Sequence, residues 1–273
     1  MNTTSRVIAG AVTFCTAILA ASGQDFIPGK IYVAEVAGAI SYAVGGSPNE
    51  VKKGETLPVQ GARNETAPAA HVVYVYSNGT SLYIDEKTVV QIAKFEQRPF
   101  PKGTDLTVNE PSVSHTMGRI TQGRIIITTN KLATGTTMIY LTPHAEVKIR
   151  GQEVVIEVND RESRIDVVNG DVTVTPLGGA AHGIGQVLHS GQEAVVTDSS
   201  TGSSSVPLLV LSIDQSRLDS LAAQLAAGDR ARQIVVFETV PGSGGPEIQA
   251  TPIVPTNLPV QLTVSPSTLR NGQ

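Results

Sequence analysis

Between Lys30 and about Asp198 the chain is divided into short apolar runs, separated by glycine, asparagine, proline or aspartate. Runs of this length, rich in valine, isoleucine and threonine and bounded by turn residues, are typical of β-strands. Helical periodicity is scarce in the same region. The pattern predicts a mainly β domain over residues 30–198, arranged as a sandwich, a barrel or a β-solenoid, and it does not separate these three.

Two Asn-Gly pairs mark the sharpest turns of this region. Strand-like runs surround Asn78-Gly79 in Val72–Ile84, and others surround Asn169-Gly170 in Arg164–Thr175. Asparagine and glycine tolerate the positive φ angles of a two-residue type I′ turn, so each segment is predicted to be a β-hairpin. In the second segment the residues expected on one buried face are Ile165, Val167, Val172 and Val174.

Further apolar runs supply the remaining predicted strands. They are Arg124–Thr129, Thr137–Thr142, Ala145–Ile149 and Glu153–Val158, with Lys30–Val44 and Glu193–Thr197 at the two ends and with Val33, Val36 and Ile40 as expected core residues. Two irregular stretches, Gly45–Ala70 and Phe95–Ser114, interrupt the strands. Long loops are often functional, and the simpler alternative is an insertion that the surface tolerates.

The chain changes character after Asp198. Small residues predict a linker over 199–211, and leucines and alanines at helical spacing predict one short amphipathic helix within Ser212–Gly228. Gly228 is placed to stop that helix. The helix-containing segment is predicted to span 212–240, and the prolines of 241–273 predict a poorly ordered tail.

Residues 1–23 have the order of a secretory signal peptide. An uncharged, mostly apolar run of about fifteen residues follows Arg6, and small residues suited to cleavage near Gly23 or Gln24 come next. The alternative is an uncleaved N-terminal anchor. Either way the main body is expected outside the cytoplasm, in the periplasm or secreted. Cys15 is the only cysteine and lies in the apolar run, so the mature chain is expected to fold without disulfides, and the bulky Phe14 before it argues against a lipid anchor.

The bulk composition argues against several classes of partner. A formal charge of −4 provides no basic surface for nucleic acid and no strong attraction to an anionic membrane. Tryptophan is absent and aromatic residues make up 4%, which weakens the case for a stacking platform that binds sugars. We therefore expect neither nucleic acid nor a membrane as the principal partner.

No catalytic, cofactor-binding or metal site is predicted. The five histidines are scattered, and His182 and His189, seven residues apart in a glycine-rich segment, are more simply solvated loop residues than metal ligands. Gly183-Ile184-Gly185 indicates a turn, and Asp198–Gly202 indicates a linker. The acidic groups Asp85-Glu86, Asp160–Glu162 and Asp105–Glu110 lack the spacing of a calcium loop and are interpreted as charged turns.

Several short motifs follow one another in a set order. They are Val33–Gly38, Val51–Leu57, Val73–Ile84, Phe95–Phe100, Gly123–Ile125, Thr142–Gly151, Val168–Val174 and Leu188–Ala194. In this order they resemble the FecR domain family of bacterial envelope proteins, over roughly Lys30 to Asp198. The block Thr142–Gly151 is the most specific part. After it the family usually has threonine and then an aromatic residue, whereas this chain has Gln152-Glu153-Val154.

The resemblance implies a β-solenoid or β-roll, with a sandwich as the alternative. The chain is in this respect similar to FecR-type regulators, which relay iron-siderophore signals from an outer-membrane receptor to a cytoplasmic sigma factor. Only six residues precede the apolar run, so a cytoplasmic sigma-binding domain is not expected here. A stand-alone exported FecR-domain protein is the closer match.

Three functions remain open at this point. The first is a module that binds another envelope or extracellular protein through a strand edge or through the two irregular stretches. The second is a polysaccharide or cell-wall binding module, and the third is an enzyme such as a hydrolase, which needs a pocket of convergent titratable groups. The tyrosines separate the first two, because three of them together on an open face would favour sugar binding: Tyr32, Tyr42, Tyr74, Tyr76, Tyr83 and Tyr140.

Overall fold

The computed structural model describes residues 25–46, 48–104, 108–178, 184–197 and 208–253. The predicted signal peptide and the end of the predicted tail, residues 254–273, lie outside this part of the chain. The described residues form many short strands and one long helix. The predicted mainly β fold class is therefore confirmed.

The strands are numbered in chain order. They are β1 (Ile27–Pro28), β2 (Lys30–Ala37), β3 (Ile40–Val44), β4 (Asn49–Glu50), β5 (Thr56–Pro58), β6 (Ala62–Thr66), β7 (His71–Tyr76), β8 (Ser81–Ile84), β9 (Val89–Gln97), β10 (Ser114–Thr128), β11 (Thr137–Leu141), β12 (Ala145–Ile149), β13 (Glu153–Val158), β14 (Glu162–Asn169), β15 (Asp171–Pro176), β16 (Gln186–His189), β17 (Gln192–Thr197), β18 (Leu208–Ser212), β19 (Val235–Gly242) and β20 (Gly245–Pro252). The helix α1 spans Gln215–Arg232.

Two stacked sheets make up the body of the domain. Sheet A has the order β4-β3-β6-β9-β10-β11-β12-β15-β16, and β1 also pairs with β9. Sheet B has the order β5-β2-β7-β8-β10-β13-β14-β17-β18. Strand β10 belongs to both sheets, because its first part pairs with β9 and β11 and its last part pairs with β8 and β13.

After β10 the chain alternates between the sheets one strand pair at a time. Strands β11 and β12 lie in sheet A, β13 and β14 in sheet B, β15 and β16 in sheet A, and β17 and β18 in sheet B. Each step adds strands at the same end of both sheets. This winding agrees with the predicted roll-like arrangement of short strands.

The apolar core lies between the two sheets. Ile165 and Val167 point into it from sheet B, and Val172 and Val174 point into it from sheet A. All four are buried, as the alternation in the sequence predicts. Of the expected core residues near the start, Val33 and Ile40 are buried, and Val36 packs against the core while remaining partly exposed.

The second predicted hairpin is wrong. Strand β14 lies in sheet B and β15 lies in sheet A, so Asn169-Gly170 forms a corner between the sheets. Gly170 has a φ of +95° and packs so closely that a Cβ would lie 2.3 Å from the Cα of Gly151. The same alternation suits a hairpin and this corner, since both direct the apolar residues to one core.

The first hairpin is present, but its predicted turn type is wrong. Strands β7 and β8 pair, and the amide of Gly79 donates to the carbonyl of Tyr76 over 2.9 Å. Gly79 has a φ of +84°, whereas Asn78 does not have a positive φ. The loop is therefore a type I turn followed by a left-handed glycine, and the Asn78 side chain accepts a hydrogen bond from the amide of Thr80 over 3.1 Å.

The predicted irregular stretch Gly45–Ala70 contains three short strands that the sequence pattern missed. They are β4, β5 and β6, of two, three and five residues. Proline and charged residues hide their alternation. In the other stretch, β9 extends to Gln97 and β10 begins at Ser114, so the loop itself is residues 98–113.

A third layer covers the outer face of sheet B. It consists of α1 and the hairpin β19–β20, which bury Leu221, Val235, Phe237 and Ile248 against that sheet. The linker predicted over 199–211 ends earlier, because β18 begins at Leu208 and pairs with β17. The tail predicted from Pro241 onward is also wrong up to Ile253, since Pro241 and Pro246 face each other at the tip of the hairpin.

The helix passes through Gly228 and ends at Arg232, so the predicted stop at Gly228 is wrong. Gly228 is buried, and a Cβ there would lie 2.7 Å from Ser81 Oγ and 2.9 Å from Thr128 Oγ1. The glycine therefore allows close approach of the helix to β8 and β10. Within the described ranges, the structure contains no helix whose length and apolar character would let it cross a bilayer.

Replacing Gly228 with leucine is expected to push α1 away from sheet B. The added side chain meets two hydroxyls at less than van der Waals distance, and overpacking of this kind costs about 1–3 kcal/mol. Urea unfolding followed by circular dichroism measures the loss. The control is Ala222→Leu on the exposed side of the same helix, where we expect little change. Equal stability of the two variants would contradict the close-approach role of Gly228.

Candidate interaction surface

The first end of the two-sheet body is protected against pairing with other strands. Its outermost strands are β4 and β5, which have two and three residues. Pro58 ends β5, and Glu50, Lys52 and Glu55 lie in or beside these strands. Short strands, proline and charged side chains are the devices that natural proteins use to block edge-to-edge association.

The opposite end is formed by β16 in sheet A and β18 in sheet B, which are the last strands of their sheets. Among the described residues no strand pairs with the outer edge of either. Their sequences are Gln186-Val187-Leu188-His189 and Leu208-Leu209-Val210-Leu211-Ser212, without lysine, arginine, aspartate or glutamate. We call this surface the free end and define it as β16 and β18.

Apolar side chains are exposed on both strands of the free end. Val187 is 51% exposed on the outer face of sheet A, and Leu209 is 52% and Leu211 is 44% exposed on the outer face of sheet B. On the inner side Leu188 is buried, while Leu208 packs against the core and remains partly exposed. The free end therefore combines unpaired backbone with exposed apolar surface. The outermost strands of the first end are shorter, and proline and charged residues protect them.

Sequence analysis predicts only part of this surface. Strand β16 shares Leu188 and His189 with the last motif of the predicted domain, whereas Leu208–Leu211 falls within the predicted linker. The signal was available, because four consecutive apolar residues bounded by Pro207 and Ser212 have the length of a strand. The two irregular stretches, which were the other predicted binding regions, lie away from the free end.

A charged network fixes α1 to sheet B beside the free end. Arg217 Nε donates to Asp166 Oδ2 over 2.8 Å, and Arg217 Nη2 donates to Glu157 Oε2 over 2.8 Å. Asp166 is fully buried, and its Oδ1 has no hydrogen-bond donor. Burial raises the pKa of the Glu193 carboxyl, and the nearby Asp166 carboxylate adds to this, whereas Arg164 opposes it. A protonated Glu193 can donate a hydrogen bond to Asp166.

The Glu193 interaction predicts that stability falls as pH rises. Because its pKa is higher in the folded chain than the ordinary 4.5, the folded chain holds a proton that the unfolded chain releases between the two values. This stabilisation is complete below pH 4.5 and is lost as pH rises through the raised pKa. In Glu193→Gln the amide donates at every pH. The free energy of unfolding in urea should therefore fall less steeply as pH rises than it does in the unmodified protein. An unchanged slope would exclude the proposed proton sharing.

Glu110 was interpreted as part of a charged turn, and the structure corrects this. It is 7% exposed, and its carboxylate accepts hydrogen bonds from Ser114 Oγ at 2.5 Å, Thr136 Oγ1 at 2.6 Å, the Ala133 amide at 2.8 Å and Asn78 Nδ2 at 3.2 Å. Burial raises its pKa, and these hydrogen bonds oppose the shift. Glu110 therefore joins the β7–β8 turn to the loop before β10.

The other acidic groups have simpler roles. Asp85 accepts hydrogen bonds from Arg124, and Glu162 forms an ion pair with Arg164 at 3.7 Å. His189 Nδ1 lies 2.7 Å from Asp171 Oδ1, while His182, Gly183 and Asp198–Gly202 lie outside the described residues. In the described ranges, no three histidine, cysteine, aspartate or glutamate side chains come together as they would around a metal ion.

Two clefts lie away from the free end. The larger, about 560 Å³, is lined mainly by residues of β3, β4 and β6, with Glu50 and Glu65 as its titratable groups. The smaller, about 260 Å³, lies at the C-terminal end of α1 and contains Glu153, Asp229 and Arg232. Burial raises the pKa of Glu153, Asp229 raises it further and Arg232 lowers it. Arg232 is already engaged by Asp229 and Asn130.

The tyrosines do not form a platform for sugars. All six are buried, with Tyr83 the most exposed at 8%. Tyr74 donates to Asn64 Oδ1 over 2.7 Å inside the core, and Tyr76 packs edge-on against Phe95. The structure therefore does not place three tyrosines together on an open face, which is the arrangement that would favour sugar binding.

Comparison with known proteins does not assign a family. No family model and no curated protein matches the chain. Two crystal structures of a proposed anti-sigma factor from Parabacteroides distasonis align with it at a TM-score of 0.42 and 14% identity. The alignments cover 59% of this chain and 64% and 63% of those chains, less than two thirds of their length. The resemblance to the FecR domain family stays a prediction.

Proposed function

We propose that this protein is an exported, non-catalytic module that binds another polypeptide by strand addition at the free end. The observation that carries the proposal is the contrast between the two ends of the body. One end has short, charged and proline-containing edges, and the other exposes two uncharged edges with Val187, Leu209 and Leu211 beside them.

Strand addition follows from the chemistry of an unpaired edge. Its backbone amides and carbonyls are obligatory hydrogen-bonding groups, and an extended segment of another chain satisfies them while exposed side chains select the partner. Leu209 and Leu211 provide an apolar stripe for that selection on one face. The uncharged edge places no like charge against an incoming strand.

Export is the second part of the proposal. It is supported by the order of residues 1–23, in which an apolar run shorter than a membrane span is followed by small residues. The expected location is the periplasm or the cell exterior, and the expected partner is an envelope or extracellular protein. Fractionation of producing cells, with sequencing of the N-terminus of the exported form, tests this part separately.

Site-specific photo-crosslinking in intact producing cells tests the binding surface. A benzophenone amino acid at Leu209 or Val187 should crosslink to a polypeptide. The matched control is Met117, which is 41% exposed on the outer face of sheet A and should give no comparable product. Equal labelling at all three positions, or none at Leu209 and Val187, would refute strand addition at the free end.

A further inference from the structure

We infer that a cleft on the outer face of sheet A binds a small tetrahedral oxyanion, a phosphate or sulfate group. The cleft has a volume of about 210 Å³ and is lined by Arg63, Val89, Gln91, Arg119 and Thr121. All four polar side chains of this lining can donate hydrogen bonds, and no carboxylate is among them. Strands β11, β12 and β15 separate the cleft from β16, so this site is distinct from the free end.

The register of three neighbouring strands brings two arginines and a glutamine into one row. Arg63 of β6 lies opposite Gln91 of β9, and Gln91 lies opposite Arg119 of β10. All three are exposed, whereas the residues before and after each of them are buried, so the row lies on the outer face. Neighbouring strands are about 4.8 Å apart, which places the two arginine backbones about 10 Å apart with Gln91 between them. An oxyanion above Gln91 can therefore contact both guanidinium groups.

The charges of this row favour an anion from outside the chain. Within the described ranges, the Arg119 side chain has neither an ion pair nor a hydrogen bond, and its neighbour on β11 is Leu141. Arg63 pairs with Glu65 over 3.1 Å, but these two side chains are 49% and 57% exposed, and exposed ion pairs of this kind are weak. The formal charge of the whole chain is −4, so attraction of an anion to this cleft is a local property.

The backbone of β9 and β10 is irregular beside the cleft. Their register shifts on both sides of the pair formed by Gln91 and Arg119. At the second shift Thr121 has no partner on β9, and its exposed side chain lines the cleft next to Val89. Bulges of this kind redirect side chains and are over-represented next to active sites.

The lining residues suit the chemistry of a tetrahedral oxyanion. Guanidinium groups bind phosphate through parallel, charge-assisted hydrogen bonds, and the cleft offers one on each side. The Gln91 amide and the Thr121 hydroxyl can donate to the remaining oxygens. Val89 is partly buried and offers an apolar floor. The cleft is smaller than the pockets that hold drug-sized ligands, so it suits a free ion or a small organic phosphate or sulfate.

Titration with inorganic phosphate at low ionic strength, followed by NMR, tests the inference. We expect saturable binding that weakens as sodium chloride is added, because salt screens exposed charges. Arg119→Gln should raise the dissociation constant about tenfold or more, since charge-assisted hydrogen bonds are lost. The control is Arg161→Gln, which removes the same charge from the exposed turn between β13 and β14 and should leave the constant unchanged.

A short alkyl phosphate distinguishes the two kinds of ligand. A dissociation constant no lower than that of inorganic phosphate identifies the free ion as the ligand. A lower constant identifies a small organic anion, and Val89→Asn should then weaken binding of the alkyl phosphate more than binding of inorganic phosphate. If neither compound binds saturably, or if Arg119→Gln weakens binding no more than Arg161→Gln does, the inference is overturned.

Discussion

Replacing Gly170 with alanine is expected to lower the free energy of unfolding by about 2–5 kcal/mol, as the sum of two costs. A left-handed backbone with a side chain costs about 1–2 kcal/mol, and overpacking costs about 1–3 kcal/mol. Both apply here, because Gly170 has a φ of +95° and its Cβ would lie 2.3 Å from the Cα of Gly151. Urea unfolding followed by circular dichroism measures the loss.

Gly191→Ala is the matched control for this prediction. Gly191 also has a positive φ, +81°, but a Cβ there meets nothing within 4 Å. It should therefore carry only the backbone cost of about 1–2 kcal/mol. If the two variants lose the same stability, the Gly151–Gly170 contact does not constrain the corner at which the chain passes from sheet B to sheet A.

Replacing Asp166 with alanine is the second change with a large expected effect, a loss of about 1.5–3 kcal/mol, because a hydrogen bond between two charged groups is lost. Asp166 is fully buried beneath α1 and accepts from Arg217, so its removal leaves that guanidinium with Glu157 as its remaining bonded carboxylate. Asp171→Ala is the control. Asp171 pairs with His189 in a side chain that is 58% exposed, and such a surface pair contributes less than about 1 kcal/mol.

A variant with both Asp166→Ala and Arg217→Met separates charge from packing. In Asp166→Ala the mostly buried Arg217 guanidinium keeps only the partly exposed Glu157, and Arg217→Met removes that desolvated charge, so the double variant should be more stable than Asp166→Ala alone. This comparison remains informative if Asp166→Ala is too unstable to purify. A double variant that is less stable than the single one would show that Arg217 stabilises α1 mainly through other contacts.

The sequence predicts strands better than it predicts their partners. Ile165–Val167 and Val172–Val174 have clear alternation, and both lie in strands with buried faces. The alternation determines which side chains face the core, but two sheets share that core. The pattern around Asn169-Gly170 therefore fits both a hairpin, which the sequence predicts, and a corner between the two sheets, which the structure has.

Other errors come from residues whose usual local role is overridden by packing. Gly228 commonly ends helices, but here it allows α1 to approach Ser81 and Thr128. Pro241 and Pro246 usually indicate irregular chain, but they lie at the tip of a hairpin whose body buries Phe237. Tertiary contacts of this kind involve residues distant in sequence, so local patterns do not contain them.

The free end was partly accessible to sequence analysis. Binding through a strand edge is among the predicted modes, and the apolar run Leu208–Leu211 is evident in the sequence. Which strands are outermost depends on the order of strands in each sheet, and no local pattern specifies that order. The contrast between protected and unprotected edges therefore required the structure.

Hydrogen exchange at the free end tests the central claim most directly. Outward-pointing amides of β16 and β18, followed by NMR, should exchange fast in the isolated protein and slowly once the polypeptide captured by photo-crosslinking is bound. Amides of the interior strand β14 should stay protected in both states and provide the control. Fast exchange of the outward-pointing edge amides in the complex, with β14 protected throughout, would contradict strand addition at the free end.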